Sequence, residues 1–278
     1  MSNIASAFDL KFGGKRPPET PSNGKAFIPY LCCGDPDLET TAALVREMAR
    51  QGADLIELGV PFSDPTAEGP VIQQASLRAL QSGTTTDKIF NMVRELREDV
   101  KIPMVFMTYA NVVFSYSSLS ATPDGTEKFL SACEDIGMDG LILPDVPFEE
   151  KEDFDGACSA HGLDLISLIA PTSADRIARI ARGARGFIYI VSSLGVTGVR
   201  KEITTDIASI VRNIRENSNI PCAVGFGIST PEQARTMSRA ADGVIVGSAI
   251  VKLIAQHGRD SVRPVGEYVR SMKDALRG

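Results

Sequence analysis

Tryptophan is absent from this 278-residue chain, histidine occurs twice, and the five cysteines show no CxxC spacing. His161 and His257 stand far apart in polar stretches, so the sequence offers no His-based metal centre, and nothing clusters as a divalent-metal site. Cys32, Cys33, Cys133, Cys158 and Cys222 are odd in number and most lie in apolar runs. They read as small buried hydrophobes in a reducing compartment, not as a disulfide framework. A basic block is missing as well. The 29 basic and 35 acidic residues leave a net charge of −6, which argues against nucleic acid as the main partner. No apolar run nears the ~18–20 residues of a membrane span, and Met1–Lys11 lacks the apolar core of a secretory signal. The expectation is a cytoplasmic protein, or one of an organelle stroma if the source is eukaryotic.

What is present is ordinary globular composition, 43% hydrophobic and 23% charged, arranged in alternating segments. Eight short apolar runs recur: Ala26–Cys33, Leu55–Val60, Met104–Tyr109, Gly140–Val146, Asp164–Ala170, Phe187–Ser192, Cys222–Gly227 and Gly243–Val246. Helical spacing lies between them, as in Leu38, Ala42, Val45 and Met48, in Ile89, Val93 and Leu96, and in Ile207, Val211 and Ile214. Helix starts are signposted at Asp35-Pro36, Thr86-Asp87, Ser173-Ala174-Asp175 and Ser229-Thr230-Pro231-Glu232. Gly52-Ala53-Asp54, Gly137-Met138-Asp139 and Ala240-Ala241-Asp242 repeat one theme: a helix, a tight turn, then a buried strand.

Runs that are apolar throughout suit strands covered on both faces, hence a parallel sheet. Eight βα units in about 250 residues predict an α/β fold, a closed (β/α)8 TIM barrel over 26–278, with an open doubly wound sheet as the alternative. Residues 1–25 read as an N-terminal extension. In it, Ile4, Ala7 and Phe8 have helical spacing and could cover one barrel end, and Phe12–Lys25 forms a linker. Two βα connections are long. Pro61–Thr85 holds an extra helical segment with Ile72, Ala75 and Ala79 aligned, and Asn111–Asp124 is Ser-rich. Both belong to the face on which barrels carry their chemistry.

The second run contains Glu57 on the same face as Leu55 and Gly59. A carboxylate placed there points into the barrel or into the helix layer, and no run carries a central Lys or Arg to neutralise it. Such a group has a raised pKa and serves as acid and base. Asp64 and Glu68 follow on the loop; turn formation and helix-dipole stabilisation are their structural alternatives. The last two runs end in Gly225-Phe226-Gly227-Ile228-Ser229 and Gly247-Ser248-Ala249, the commonest phosphate-binding pair of loops in barrels. Gly195-Val196-Thr197-Gly198 is a third glycine turn, able to close over a ligand. No strand lysine stands where a Schiff-base nucleophile belongs. Together these point to a phosphorylated small substrate with carboxylates opposite its phosphate.

These residues resemble a known family, the α subunit of tryptophan synthase. The resemblance rests on Phe27-Ile28-Pro29-Tyr30 with Gly34-Asp35-Pro36, on Glu57 through Pro65, on Gly69 through Gln73, on Tyr109-Ala110-Asn111, on Pro144 through Pro147, and on the glycine turns named above. It implies retro-aldol cleavage of indole-3-glycerol phosphate to indole and glyceraldehyde 3-phosphate. It also implies passage of indole to a pyridoxal-phosphate β subunit in an α2β2 heterotetramer, with no cofactor in this chain. By the same resemblance Glu57 is the proton-transfer residue and Glu68 stabilises charge at the indole N–H. Tyr189 and Phe226 line the indole pocket, and Gly198, Gly227, Gly247 and Ser248 bind phosphate. Thr197 and Asp64 meet on loop closure, and the Asp64 loop faces the partner. Glu68 departs from the family's usual Asp in Ala-Asp-Gly-Pro and adds a methylene. Thr66 replaces an apolar residue, and Cys32-Cys33 is a packing change. A free-standing lyase of the same chemistry and a non-catalytic regulatory barrel are the alternatives.

Overall fold

The computed structural model describes residues 2–8, 25–117, 125–191, 206–225 and 227–277. Among them nine short parallel strands form one sheet, β1 (Ala26–Cys32), β2 (Ile56–Gly59), β3 (Met104–Met107), β4 (Gly140–Ile142), β5 (Asp164–Leu165), β6 (Ser167–Ile169), β7 (Ile188–Val191), β8 (Cys222–Gly225) and β9 (Gly243–Val246). The hydrogen-bonded order is β5-β4-β3-β2-β1-β9-β8-β7-β6. Its two ends are halves of one run joined at Ile166, whose N–H donates to the Leu141 carbonyl at 2.9 Å. The sheet therefore closes into a barrel, and the open-sheet alternative falls. The run read as a single fifth strand divides, because its start pairs with β4 and its continuation with β7. Stagger of tilted strands around a barrel lets one strand meet its two neighbours at different heights.

Helices occupy the connections: α1 (Leu38–Arg50), α2 (Pro70–Gln81), α3 (Thr86–Leu96), α4 (Ala110–Ser115), α5 (Gly125–Asp135), α6 (Glu152–Ala160), α7 (Ala174–Arg182), α8 (Ile207–Asn217), α9 (Pro231–Ser238), α10 (Ser248–His257) and α11 (Val262–Ala275). The extra segment after β2 is α2, with Ile72, Ala75 and Ala79 buried as their spacing predicts. Two caps fall beside the expected places. Asp37, not Asp35, accepts the Thr40 N–H at 2.8 Å, because Asp35 is committed to Arg78. Thr85 rather than Thr86 caps α3. Ser173 and Thr230 cap α7 and α9 as read, the latter in a reciprocal box with Gln233. Among the described residues no helix is long and apolar enough to cross a membrane.

Strand alternation sorts the side chains into two cores. Ile28, Leu55, Val105, Ile142, Phe187 and Ile245 fill the barrel interior, while Phe27, Leu31, Ile56, Leu58 and Phe106 pack outward against the helices. Ile4–Ala7 forms a 3-10 turn at the N-terminal end of the strands, where Phe8 stacks on Phe187 with ring centroids 5.6 Å apart. The Asn3 N–H donates to Asp139 at 2.8 Å, and Asp139 also receives Arg97 at 2.6 Å. That end is plugged, so chemistry is left to the opposite mouth. The linker read at Phe12–Lys25 lies, up to residue 24, outside the described residues. All five cysteines are free and buried.

His161 joins α6 to α5. Its Nδ1 lies 2.7 Å from Glu134 and its Nε2 2.8 Å from Glu127. The Glu134 hydrogen bond, helped by Glu127, holds the imidazole above its ordinary pKa. A folded-state value above the unfolded one, about 6.5, gives stability that is complete below that pH and lost as pH rises through the folded value. His161→Gln is expected to flatten the fall in urea midpoint between about pH 6 and about pH 8. An unchanged slope would show that the contact contributes nothing.

Candidate active site

Glu57 faces the barrel interior from β2, beside Tyr30 of β1 in register. It is 1% exposed, and its Oε1 has no hydrogen-bond partner among the described residues. Burial first, and then the negative charge of Glu68, pushes its carboxyl well above the ordinary carboxylate range. An alternative role in a buried salt bridge is thereby excluded among the described residues: the charged group acting on Glu57 is another carboxylate. Its environment favours the protonated form, which suits a proton donor.

Glu68 reaches the same place from the loop after β2 and is 3% exposed. The loop is held by its own turn, with the Glu68 N–H on the Pro65 carbonyl at 3.1 Å. The Tyr109 hydroxyl accepts the Ala67 N–H at 3.0 Å, and Gln73 of α2 donates to the Glu68 carbonyl at 2.8 Å. Glu57, Glu68, Tyr189, Gly247 and Ser248 line one cavity with Tyr30 and Met107. Its free volume is about 30 Å³, the room of a water and not of a substrate. A separate groove of about 380 Å³ opens between Pro144–Lys151 and Leu165–Arg176. Among the described residues none of its lining side chains is a carboxylate, so the smaller cavity is where acid–base chemistry can occur.

Two tyrosines lean over glycines of the next strand. A Cβ on Gly59 would overlap the Tyr30 hydroxyl, and one on Gly225 would overlap that of Tyr189. Burial raises both phenols far above their ordinary pKa, so both remain hydroxyls. Gly59→Ala is expected to cost about 1–3 kcal/mol by overpacking, read from urea denaturation. Adding Tyr30→Phe should recover part of that loss, and a pair of strictly additive effects would refute the contact.

Also lining the cavity, α10 begins with Gly247 as its cap and no side-chain capping bond. The start of α9 is different, since Thr230 and Gln233 satisfy it. Of these two helix starts, that of α10 has its first N–H groups uncapped by a side chain, where an anion is stabilised. Gly227 adopts φ +81°, which explains glycine there, but it does not line the cavity. Asp64 is exposed, accepts the Ser63 hydroxyl at 2.6 Å, and is not among the residues lining the cavity. Gly198, Thr197 and Phe226 lie outside the described residues. Tyr30, Met107, Ile72 and Ile245 were not assigned to the site from the sequence. Inward alternation along 26–32, with Ile28, Tyr30 and Cys32 on one face, was the signal available for Tyr30.

A closed parallel barrel in which two carboxyls, one pushed above its ordinary range, share a cavity with a helix start that no side chain caps defines an acid–base enzyme of the barrel class. Comparison with known proteins makes the class specific. Residues 19–277 match the family model described as tryptophan synthase alpha chain. The tryptophan synthase alpha chain of Lactiplantibacillus plantarum is 48% identical over 257 residues, 92% of this chain and 94% of that one. That of Lacticaseibacillus casei is 44% identical over 254 residues, covering 91% and 92%. Among solved structures, tryptophan synthase subunit alpha from Legionella pneumophila superposes with TM-score 0.83 at 36% identity, covering 99% and 98%. A chain of the tryptophan synthase complex from Pyrococcus furiosus does so with TM-score 0.79 at 31% identity, covering 91% and 99%. The chain belongs to the tryptophan synthase alpha chain family. It is a lyase that cleaves indole-3-glycerol phosphate in tryptophan biosynthesis.

Proposed function

We propose that Glu57 and Glu68 divide the chemistry of that cleavage. The observation that carries the reading is two carboxyls sharing one buried cavity with no cation paired to Glu57 among the described residues. Protonated Glu57 delivers its proton to indole C3, which converts the ring to an indolenine electron sink. The resulting carboxylate takes the proton of the side-chain hydroxyl, the C–C bond breaks, and that carbon becomes the aldehyde. The bonding pair returns to the ring, so indole and glyceraldehyde 3-phosphate leave without net proton change. Glu68 stabilises the positive charge that develops at the ring nitrogen. Tyr189 and Phe226 flank the ring, and Gly198, Gly227, Gly247 and Ser248 take the phosphate, with the uncapped start of α10 supporting the last two.

The barrel works in the cytoplasm as the α subunit of an α2β2 assembly, and its indole is consumed by pyridoxal-phosphate chemistry in the β subunit. Phe114, 52% exposed on α4 at the catalytic mouth, supports a partner on that face, together with the exposed Asp64 loop. Thr197 and Asp64 are the pair that couples closure to the partner. Indole release from indole-3-glycerol phosphate, measured with and without a cognate β subunit, tests the proposal. Acceleration and a stable complex are expected. An unaltered rate with no complex would leave a free-standing lyase.

A further inference from the structure

Glu68 does not stand on a barrel strand, so its aim depends on where α2 sits. That helix forms one wall of the cavity through Ile72 and receives the Glu68 loop through Gln73. Its start has Gly69 as cap, with no side-chain capping bond. At its other end Arg78 grips Asp35 of the β1–α1 turn with both arms, Nε to Oδ1 at 2.8 Å and Nη2 to Oδ2 at 2.7 Å. Asp35 is 2% exposed, whereas the Arg78 side chain is 36% exposed. Ser82, the C-cap of α2, donates to the Gly34 carbonyl at 3.2 Å. Thr84 fills the space beside Gly34, which adopts φ +87°. A bidentate fork fixes angle as well as distance. An α-helix of this length transmits that placement over roughly 12 Å, eight residues at about 1.5 Å each.

We propose that Arg78 and Asp35 are positioning residues of the reaction: their bridge sets α2, and through α2 the distance of the Glu68 carboxylate from Glu57. This rests on the reading of Glu68 as a catalytic carboxylate. A bridge that served stability alone would act on the folded fraction. A bridge that aims Glu68 acts on the turnover step and leaves substrate binding in place.

The test compares kcat, KM, pH profile and thermal midpoint of the full chain with indole-3-glycerol phosphate, for wild type, Arg78→Gln, Arg78→Lys, Asp35→Asn and Glu68→Gln. Arg78→Gln and Asp35→Asn are expected to lower kcat about 10- to 100-fold with KM within about twofold. The alkaline limb of their kcat profile moves to lower pH, because withdrawing the charge of Glu68 removes part of what holds the proton on Glu57. Arg78→Lys keeps the charge without the fork and recovers part of the rate. Wild-type kcat in Arg78→Gln overturns the proposal, as does a loss that tracks the unfolded fraction. Should Arg78→Gln fail to fold, Asp35→Asn, which keeps shape and hydrogen bonding, decides by the same criteria. Wild-type turnover in Glu68→Gln overturns the reading of Glu68 itself. An inactive Glu68→Gln beside an unaffected Arg78→Gln overturns the bridge alone.

Discussion

Glu57→Gln is expected to lower kcat about 10²- to 10⁴-fold, the usual contribution of a positioned acid–base group, while the fold stays intact or gains stability. The amide keeps the shape of the carboxyl but can neither give up a proton to carbon nor take one from a hydroxyl. The stability effect has a definite sign. Burial and Glu68 raise the folded-state pKa of Glu57, so its favourable contribution is present below the unfolded carboxylate value, about 4.3. That contribution is lost as pH rises through the folded value. At neutral pH the native carboxyl is therefore a burden on the fold, of the kind found where function opposes stability, and Gln removes it. A variant with negligible turnover and an equal or higher thermal midpoint separates lost chemistry from lost structure. The wild-type rate should fall on the alkaline side at a pH above the ordinary carboxylate range, where Glu57 gives up its proton. Substantial turnover in Glu57→Gln would defeat the assignment.

The barrel was legible in the sequence because its determinants are local. Uniformly apolar runs such as 104–109 announce strands covered on both faces, and the helix spacing of Ile89, Val93 and Leu96 survives into α3. Glu57 was legible for a related reason: period 2 gives a strand residue only two directions, and both are dry. The division of the fifth run at Ile166 was not legible, since stagger is a property of the closed ring and leaves no mark on seven consecutive residues. The cap at Asp37 was missed because Asp35 pairs with Arg78, 43 positions away, and no window along the chain contains that competition. Tyr30 escaped for a third reason. An aromatic in an apolar run looks like core, and only its place in the wall of the cavity beside Glu57 shows it to be part of the site.

The second large effect is at the closed end of the barrel, where Lys273→Met is expected to cost about 3–5 kcal/mol. Lys273 of α11 donates to Asp54 at 2.6 Å and to the Lys25 carbonyl at 3.1 Å. Both side chains are almost wholly enclosed, 5% and 1% exposed, so the change takes the Lys273 charge away from a buried carboxylate. The same Asp54 oxygen accepts the Phe27 N–H at 2.8 Å. One atom thus ties the start of β1 and the turn before β2 to the last helix of the chain. Replacing both partners, Asp54→Leu with Lys273→Met, removes the buried carboxylate as well but also takes the acceptor from Phe27. The double variant should therefore recover only part of the loss and stay about 1–3 kcal/mol below wild type, the cost of an unsatisfied buried N–H. Urea denaturation of the two single variants and the double gives the coupling directly. Additive losses, or a Lys273→Met midpoint equal to wild type, would mean that α11 is held by its apolar face of Val265, Val269 and Met272 and not by the ion pair.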